Sequence, residues 1–309
     1  MKIVFMGTPD FAVPSLEKLY NSHHKIVAVV TGPDKPAGRG KKLKPTPVKR
    51  RAEEFGIPIL TPEKFTDEEF ISHIKALSAD LFVVVAFRIL PKSVFTIPRY
   101  GTINLHASLL PNYRGAAPIN WAIINGEKES GVTTFFIEEK VDTGEWILQK
   151  KINISEKETA GELHDKLSII GADTLLETVD SIEQGRAPRI KQEGAVTKAQ
   201  KITKEICYID WKKDIVSIYN LIRGLSPFPR AFSYFKGDEF KICGAEISTM
   251  DLEKDKFAGE IVSLNRDKIF VAAGNGILEI TEVQPPNKRR MSVAEYLRGY
   301  SVALGERFR

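Results

Sequence analysis

The sequence predicts an α/β fold with a mainly parallel sheet, followed by a small β-barrel. In the first half, short apolar segments alternate with segments of helical periodicity, a pattern typical of βαβ units. In the last third, short strands are separated by turns such as 236–238 and 265–267. A polar, lysine-rich stretch lies between the two patterns. We therefore predict a first domain at 1–188, a linker at 189–206 and a second domain at 207–309.

The elements of the first domain follow from the spacing of its apolar residues. Segments rich in Val, Ile and Phe predict strands at 2–6, 25–31, 57–60, 81–87 and 101–107. Near-helical spacing of apolar residues predicts a helix at 10–20, with prolines marking its first turns. Two more strands, at 131–137 and 145–154, and a helix at 159–183 complete the domain. The segment 81–87 is almost entirely apolar, as a central parallel strand should be.

Composition and motif content exclude several classes of function. No apolar run in the 309 residues approaches membrane-spanning length, so a cytoplasmic protein without membrane contact is expected. Gly7 is the only glycine in the segment 7–11 that follows the first strand, and the absence of GxGxxG there disfavours nicotinamide binding. The two cysteines lack CxxC spacing and the histidines lack metal-ligand spacing, so no metal is expected. His23 and His24, between a helix and a strand, are expected to be solvated.

Two side chains in the strand predicted at 101–107 indicate carbonyl chemistry. Asn104 and His106 are two residues apart, so they project from the same face, at the carboxyl end where open sheets bind ligands. An amide and an imidazole can donate hydrogen bonds to an oxyanion that forms when an amine attacks a carbonyl. Taken alone, the pair could equally satisfy backbone groups of a loop. An isolated aspartate, Asp142, follows downstream in a Val-Asp-Thr-Gly turn.

A longer string changes the balance between these interpretations. The segment 104–119 resembles the active-site region of the 10-formyltetrahydrofolate-dependent formyltransferases, whose signature combines Asn-x-His, Ser-Leu-Leu-Pro and a distal Asp. Further strings similar to that family lie at 209–211, 222–229 and 283–299, so the resemblance covers the whole chain. It implies a Rossmann-like formyltransferase domain, followed by an OB-like barrel that contacts tRNA.

The resemblance also assigns roles to individual residues. It implies that Asn104 and the protonated His106 hold the oxyanion, while Asp142 favours the imidazolium and relays a proton. The implied cosubstrate is 10-formyltetrahydrofolate. Its implied contacts are Phe87, Arg88, Ile89, Leu90, Ser108, Leu109, Leu110 and Pro111. The chain departs from the family in the segment from Ala86 to Pro91, which lacks the glycine expected there.

A basic segment at 34–51 is the strongest charge feature. It holds eight lysines and arginines against one aspartate, a surplus larger than the +5 of the whole chain. Its glycines and prolines predict a loop, which could be merely a solubilising insertion or could bind a polyanion. The resemblance favours RNA, because the methionyl-tRNA branch of the family has such an insertion. The implied tRNA-binding residues are Arg39, Lys41, Lys42 and Lys44.

The function implied by the resemblance is formylation of the α-amino group of methionyl initiator tRNA by a monomeric cytoplasmic enzyme. Two alternatives stay open. One is a formyltransferase or formyl-folate hydrolase of the same fold that acts on a sugar nucleotide or on water, which a nearly neutral loop would have favoured. The other is a non-catalytic RNA-binding protein. Release of tetrahydrofolate on mixing with formyl-folate and methionyl-tRNA separates all three.

Overall fold

The computed structural model describes residues 1–37, 42–253 and 255–309, without the side chains of Ala37 and Lys42. These residues form two compact units that interleave along the chain. The first unit comprises Met1–Gly115, Ser130–Ile152 and His164–Ala199. The second unit comprises Ala116–Glu129, Asn153–Leu163 and Gln200–Arg309.

The described strands and helices are as follows in chain order. The strands are β1 (Lys2–Gly7), β2 (Lys25–Val30), β3 (Lys35–Ala37), β4 (Lys42–Lys44), β5 (Ile59–Leu60), β6 (Leu81–Val85), β7 (Thr102–His106), β8 (Arg114–Gly115), β9 (Glu129–Phe136), β10 (Trp146–Asn153), β11 (Lys198–Ala199), β12 (Ala231–Phe235), β13 (Asp238–Ile247), β14 (Ile261–Leu264), β15 (Ile269–Ala272), β16 (Ile277–Gln284) and β17 (Met291–Ser292). The helices are α1 (Val13–Tyr20), α2 (Pro47–Glu54), α3 (Glu68–Ala76), α4 (Lys92–Phe95), α5 (Pro118–Ile124), α6 (Ala160–Glu183), α7 (Ile215–Gly224) and α8 (Val293–Gly299), and a 3₁₀ turn lies at Asp10–Ala12.

A seven-stranded sheet organises the first unit, in the order β10-β9-β7-β6-β1-β2-β5. Neighbouring strands in the part β7-β6-β1-β2-β5 pair in parallel, and β9 is antiparallel to β7. The predicted mainly parallel sheet is thus confirmed. All five residues of β6 are buried, which explains why this strand has no polar face.

The turn after β1 is closed by packing. A methyl group at Gly7 would lie 2.8 Å from Cβ of Ala12, in the 3₁₀ turn that precedes α1. The predicted helix at 10–20 is therefore split into this turn and α1, with Pro14 in the first turn of α1. Gly7 therefore allows β1 and the following turn to pack closely. The other glycines of the dinucleotide-binding fingerprint are absent from this segment.

The second unit is built on an antiparallel sheet in the order β12-β13-β16-β15-β14, with β17 paired to β16. The carboxyl-terminal segment joins the two edge strands. Phe308 bridges Phe235 at the end of β12, and Arg307 bridges Glu260 just before β14. These bridges join the two edge strands, as the closure of a barrel requires. The core inside is rich in isoleucine and phenylalanine.

The polar stretch predicted as a linker has ordered contacts over its first part. Ile190 forms an antiparallel bridge with Trp146, and β11 pairs in parallel with β8. A polar sequence with little periodicity gave no sign of these contacts, because they are made by the backbone. Residues up to Ala199 therefore belong to the first unit.

Candidate active site

Strand β7 places Asn104 and His106 on one face of the sheet. It lies between β6 and β9, and His106 is its last residue. Side chains alternate along a strand, so Ile103 and Leu105 occupy the opposite face, where both are buried in the core. Asn104 is partly exposed, whereas His106 is only 7% exposed. The two polar groups lie at the carboxyl end of a central strand, where open sheets bind ligands.

The main chain of Tyr113 fixes the tautomer of His106. Nε2 of His106 lies 2.9 Å from the carbonyl oxygen of Tyr113. Because a carbonyl oxygen only accepts hydrogen bonds, Nε2 must carry a hydrogen. The neutral imidazole then has its lone pair on Nδ1, which lies 3.8 Å from Oδ2 of Asp142. Nδ1 is therefore the nitrogen that gains and loses a proton, and it faces a carboxylate.

Asp142 is held in a turn that non-glycine residues rarely adopt. Its φ is +55°, in the left-handed region that costs an L-residue about 1–2 kcal/mol. The N–H of Gly115 donates to its Oδ2 at 2.9 Å. Two residues on, a methyl group at Gly144 would lie 1.7 Å from the carbonyl oxygen of Phe136, so only glycine fits. The turn is thus held in a strained conformation by its surroundings, as is common at functional sites.

These three side chains can act together on a carbonyl group. Asn104 offers neutral N–H donors, and protonated His106 offers an N–H at Nδ1. Asp142 places a carboxylate 3.8 Å from Nδ1 of His106, where it can accept a proton directly or through water. The arrangement suits the stabilisation of an oxyanion while a nucleophile loses a proton.

The sequence analysis missed Gln192, which lies in the stretch predicted as a linker. Its side chain hydrogen-bonds the carbonyl oxygen of Asp142 and the guanidinium of Arg114. A glutamine in a polar stretch belongs to no motif and no periodic pattern. No signal in the sequence pointed to it, since only the return of the chain beside β8 brings it to the site.

Thr133 organises the segment from Ser108 to Pro111. Its hydroxyl donates to the carbonyl oxygen of Ser108 at 2.6 Å and accepts from the N–H of Leu110 at 3.1 Å. Ser108 and Leu110 are buried, whereas Leu109 and Pro111 remain partly exposed. Of the folate contacts predicted in this segment, only Leu109 and Pro111 therefore present side-chain surface to a ligand. The other two residues shape the backbone.

The segment after β6 offers an open main chain. Within the described residues, Phe87 to Leu90 form no backbone–backbone hydrogen bonds. Ile89 is 75% exposed and Phe87 is partly exposed, while Leu90 is buried. Ala86 has a φ of +47°, a conformation that favours glycine.

Arg88 is directed toward a neighbouring loop. Its guanidinium lies 4.3 Å from the ring centre of Phe65 and donates to the carbonyl oxygens of Pro62 and Glu63 at 2.7 and 3.0 Å. These contacts fix the side chain in the structure without a ligand. The contribution of Arg88 to a folate site would therefore come from its backbone.

The basic segment is only partly described. Arg39 and Lys41 lie outside the described residues, and so does the side chain of Lys42. Lys44 is exposed at the end of β4, which pairs with β3 as a small antiparallel sheet. The prediction of a loop over 34–51 is wrong for these strands and for α2. Helix α2 begins here because Thr46 caps it, accepting from the N–H of Lys49 at 3.0 Å, and because proline suits its first position.

Part of the basic charge in this segment is already paired. Nζ of Lys49 lies 2.7 Å from Oδ1 of Asp34, and Nε of Arg51 lies 2.7 Å from Oε1 of Glu17. These cations contribute less to the attraction of a polyanion than their number in the sequence suggests. The exposed residues that remain at the described positions include Lys35, Lys44 and Arg50.

A second cluster of titratable groups lies at the start of β2. The prediction that His24 is solvated is wrong, because it is 5% exposed. The Met1 ammonium donates to its Nδ1 at 3.1 Å, so Nε2 carries the hydrogen and donates to Asp180 at 2.9 Å. Burial lowers the pKa of His24, and a hydrogen bond from His23 is the main cause that lowers the pKa of Glu183 to about 2. These contacts tie β2 to α6.

The described helices include none that is long and apolar enough to cross a membrane.

Comparison with known proteins gives matches over almost the whole chain. The model of the formyl transferase family matches residues 1–179, and that of the formyl transferase C-terminal domain matches residues 201–301. The chain is 48% identical over 307 residues to the methionyl-tRNA formyltransferase of Clostridioides difficile (strain 630), with 99% of each chain covered. It is 48% identical over 309 residues to that of Acetivibrio thermocellus, again with 99% of each covered.

A solved structure with the same fold is an N-formyltransferase from Helicobacter canadensis in complex with folinic acid and dTDP-3-aminofucose. Its TM-score is 0.67 at 21% identity, covering 92% of this chain and 100% of that one. At this identity the likeness shows the fold alone.

Proposed function

Because the chain belongs to the formyl transferase family, we propose that it transfers the formyl group of 10-formyltetrahydrofolate to the α-amino group of methionyl initiator tRNA. The product is formylmethionyl-tRNA, which initiates translation. Relatives with that activity in their names align over almost the whole chain. The observation that carries the proposal is the approach of Asp142 to Nδ1 of His106, on the sheet face that also holds Asn104.

Asn104 and His106 would stabilise the charge that develops when the amine attacks the formyl carbon. The Asn104 amide donates one hydrogen bond to the oxygen of the formyl group. Protonated His106 donates a second hydrogen bond from Nδ1, since its Nε2–H is already engaged by the carbonyl oxygen of Tyr113. Donors fixed on a buried strand need no reorganisation during the reaction, which makes them effective.

Asp142 would manage the proton balance of the reaction. Its carboxylate favours the imidazolium form of His106 across the 3.8 Å gap. As the amine forms its bond to the formyl carbon, the nitrogen loses a proton. That proton passes to Asp142 through water. As the bond between the formyl carbon and its donor nitrogen breaks, Asp142 returns a proton through water to the donor nitrogen, so tetrahydrofolate leaves with an N–H and the carboxylate is restored.

The folate would bind along the backbone after β6. Its formyl group is the chemistry it supplies. Folate head groups carry several hydrogen-bond donors and acceptors, and the unpaired main chain from Phe87 to Leu90 offers matching groups. The exposed side chain of Ile89, together with Leu109 and Pro111, would give apolar surface. These residues fit a flat heteroaromatic ligand.

The tRNA contacts would come from the basic segment and the second domain. We keep the division into a catalytic domain at 1–188, a linker at 189–206 and a tRNA-contacting domain at 207–309 as part of this proposal. Arg39, Lys41, Lys42 and Lys44 would bind phosphates of the tRNA. A monomeric enzyme in the cytoplasm fits this function.

The test is release of tetrahydrofolate from 10-formyltetrahydrofolate under three conditions: with methionyl-tRNA, with a dTDP-linked amino sugar, and with buffer alone. We expect one equivalent of tetrahydrofolate per formylated methionine with the tRNA, and background release otherwise. Release with the sugar nucleotide or with water alone would instead support the alternatives of the same fold. No release under any condition, with tRNA binding intact, would support a non-catalytic RNA-binding protein.

A further inference from the structure

The side chain of Gln192 forms a bridge inside the site. Its Nε2 donates to the carbonyl oxygens of Asp142 and Gly144, at 3.0 and 2.8 Å. Its Oε1 accepts from Nε and Nη2 of Arg114, at 3.1 and 2.6 Å. Both hydrogens of the amide and its oxygen are therefore engaged, all with groups of the active-site turn or of β8.

This bridge selects one conformation of the turn at 142–144. With Asp142 in the left-handed region, the carbonyl oxygens of Asp142 and Gly144 both point toward the NH2 group of Gln192, so the two hydrogen bonds favour this conformation of the turn. That conformation is unfavourable for an aspartate, so the turn needs contacts that hold it. The bridge from Gln192 supplies two such contacts on the backbone itself.

Arg114 fixes which way the amide of Gln192 points. A rotation of the amide by 180° would turn its NH2 group toward a guanidinium, which has no acceptor. It would also turn its oxygen toward the two carbonyl oxygens of the turn. Both changes are repulsive, so the guanidinium makes the donor side of Gln192 face Asp142.

The same short strand also holds the carboxylate. Arg114 and Gly115 form β8, which pairs with β11, and the N–H of Gly115 donates to Oδ2 of Asp142 at 2.9 Å. The backbone of Asp142 is therefore held by Gln192, and its carboxylate by Gly115. Both supports depend on the packing of the segment at 190–199 beside β8.

We propose that Gln192 is a positioning residue for the reaction, which acts by setting the position of the Asp142 carboxylate relative to Nδ1 of His106. Arg114 orients Gln192 for this task. The inference rests on the proposed function, because it requires that Asp142 and His106 take part in formyl transfer. In this role Gln192 acts through Asp142 and not on the reacting atoms.

The expected effect of losing the bridge is on turnover. Without Gln192 the turn can relax toward a more favourable backbone conformation, which moves the carboxylate by a fraction of an ångström or more. A displacement of about 1 Å at reacting groups can cost about a hundredfold in rate. We expect Gln192→Ala to lower kcat about 10- to 100-fold, with KM for both substrates within about threefold of wild type.

Gln192→Glu separates the two halves of the bridge. The carboxylate still accepts from Arg114, and the ion pair is stronger than the original contact. It has no hydrogens to donate, however, and it would face the carbonyl oxygens of Asp142 and Gly144. We expect this variant to lose turnover as Gln192→Ala does. Glu193→Ala, at the exposed neighbouring position, is the matched control and should keep wild-type kinetics.

A double-mutant cycle shows whether Gln192 acts through Asp142. If it does, Gln192→Ala should add little to the loss already caused by Asp142→Asn, so the double variant should resemble Asp142→Asn alone. Far-ultraviolet circular dichroism and the thermal midpoint establish folding of each variant. If Gln192→Ala does not fold, the same double-mutant cycle is measured with Gln192→Glu in its place.

Two results would overturn the inference while leaving the proposed function in place. One is wild-type turnover of both Gln192 variants when Asp142→Asn has lost activity. The other is an equal fold-loss from Gln192→Ala with and without Asp142→Asn, which would indicate an independent structural role. Wild-type turnover of Asp142→Asn would overturn the proposed catalytic roles as well as the inference.

Discussion

Replacing Asp142 by asparagine tests the electrostatic part of the mechanism with little change in shape. The side-chain oxygen of asparagine can still accept the hydrogen bond from Gly115, which the carboxylate accepts at 2.9 Å. The turn should therefore be retained. What is lost is the negative charge 3.8 Å from Nδ1 of His106.

The size of the effect follows from that distance. Two unit charges at 3.8 Å attract each other by about 1 kcal/mol in water and by about 4 kcal/mol at an effective dielectric constant of about 20. The side chains of His106 and Asp142 are only 7% and 12% exposed, so solvent screens this pair less than an exposed pair, and an intermediate value applies. Because each 1.4 kcal/mol is a factor of ten in rate, we expect kcat to fall about a hundredfold or more.

The assay is single-turnover formylation of methionyl-tRNA with saturating 10-formyltetrahydrofolate, supported by tRNA binding measured separately. Affinity for tRNA should change little, because Asp142 acts on developing charge. Asp67→Asn is a matched control, since Asp67 is exposed and asparagine also suits its position before α3. If folded Asp142→Asn turned over within about threefold of wild type, the assigned role of this carboxylate would be wrong.

Three further predictions concern the turn, the basic segment and the cluster at β2. Gly144→Ala should destabilise the protein by about 3 kcal/mol or more in urea denaturation, because the added methyl group overlaps a backbone oxygen 1.7 Å away; a small loss would refute the packing described. Replacing Arg39, Lys41 and Lys42 together by alanine should weaken tRNA binding and flatten the slope of log affinity against log salt concentration by up to about one unit per lost phosphate contact. An unchanged slope would indicate that the basic segment only increases solubility. The lowered pKa values of His24 and Glu183 mean that the unfolded chain binds protons more readily, so stability should fall as pH drops below about 6.5 and again between about 4.5 and 2. Urea denaturation should show that the free energy of unfolding falls less between pH 7 and 5 for His24→Gln than for wild type or for the exposed control His73→Gln. Equal decreases in all three proteins would contradict this link between the pKa of His24 and stability.

The sequence by itself determined the features that depend on local spacing. The buried strand β6 follows from five consecutive apolar residues. Asn104 and His106 share a sheet face because side chains alternate along any strand. Their position at a carboxyl end followed from the order of strands and helices. Local periodicity carries all of this, since it depends on the geometry of a single element.

Only the tertiary structure decided the features that join distant parts of the chain. Asp142 reaches His106, and Gln192 reaches Asp142, across 36 and 50 residues of sequence. The carbonyl oxygen of Tyr113 selects the tautomer of His106, and a backbone contact of this kind leaves no trace in residue type. His24 is buried because α6 packs against it, although its neighbours in the sequence are polar. Such contacts depend on where segments meet in space, and the pattern within one segment does not contain that information.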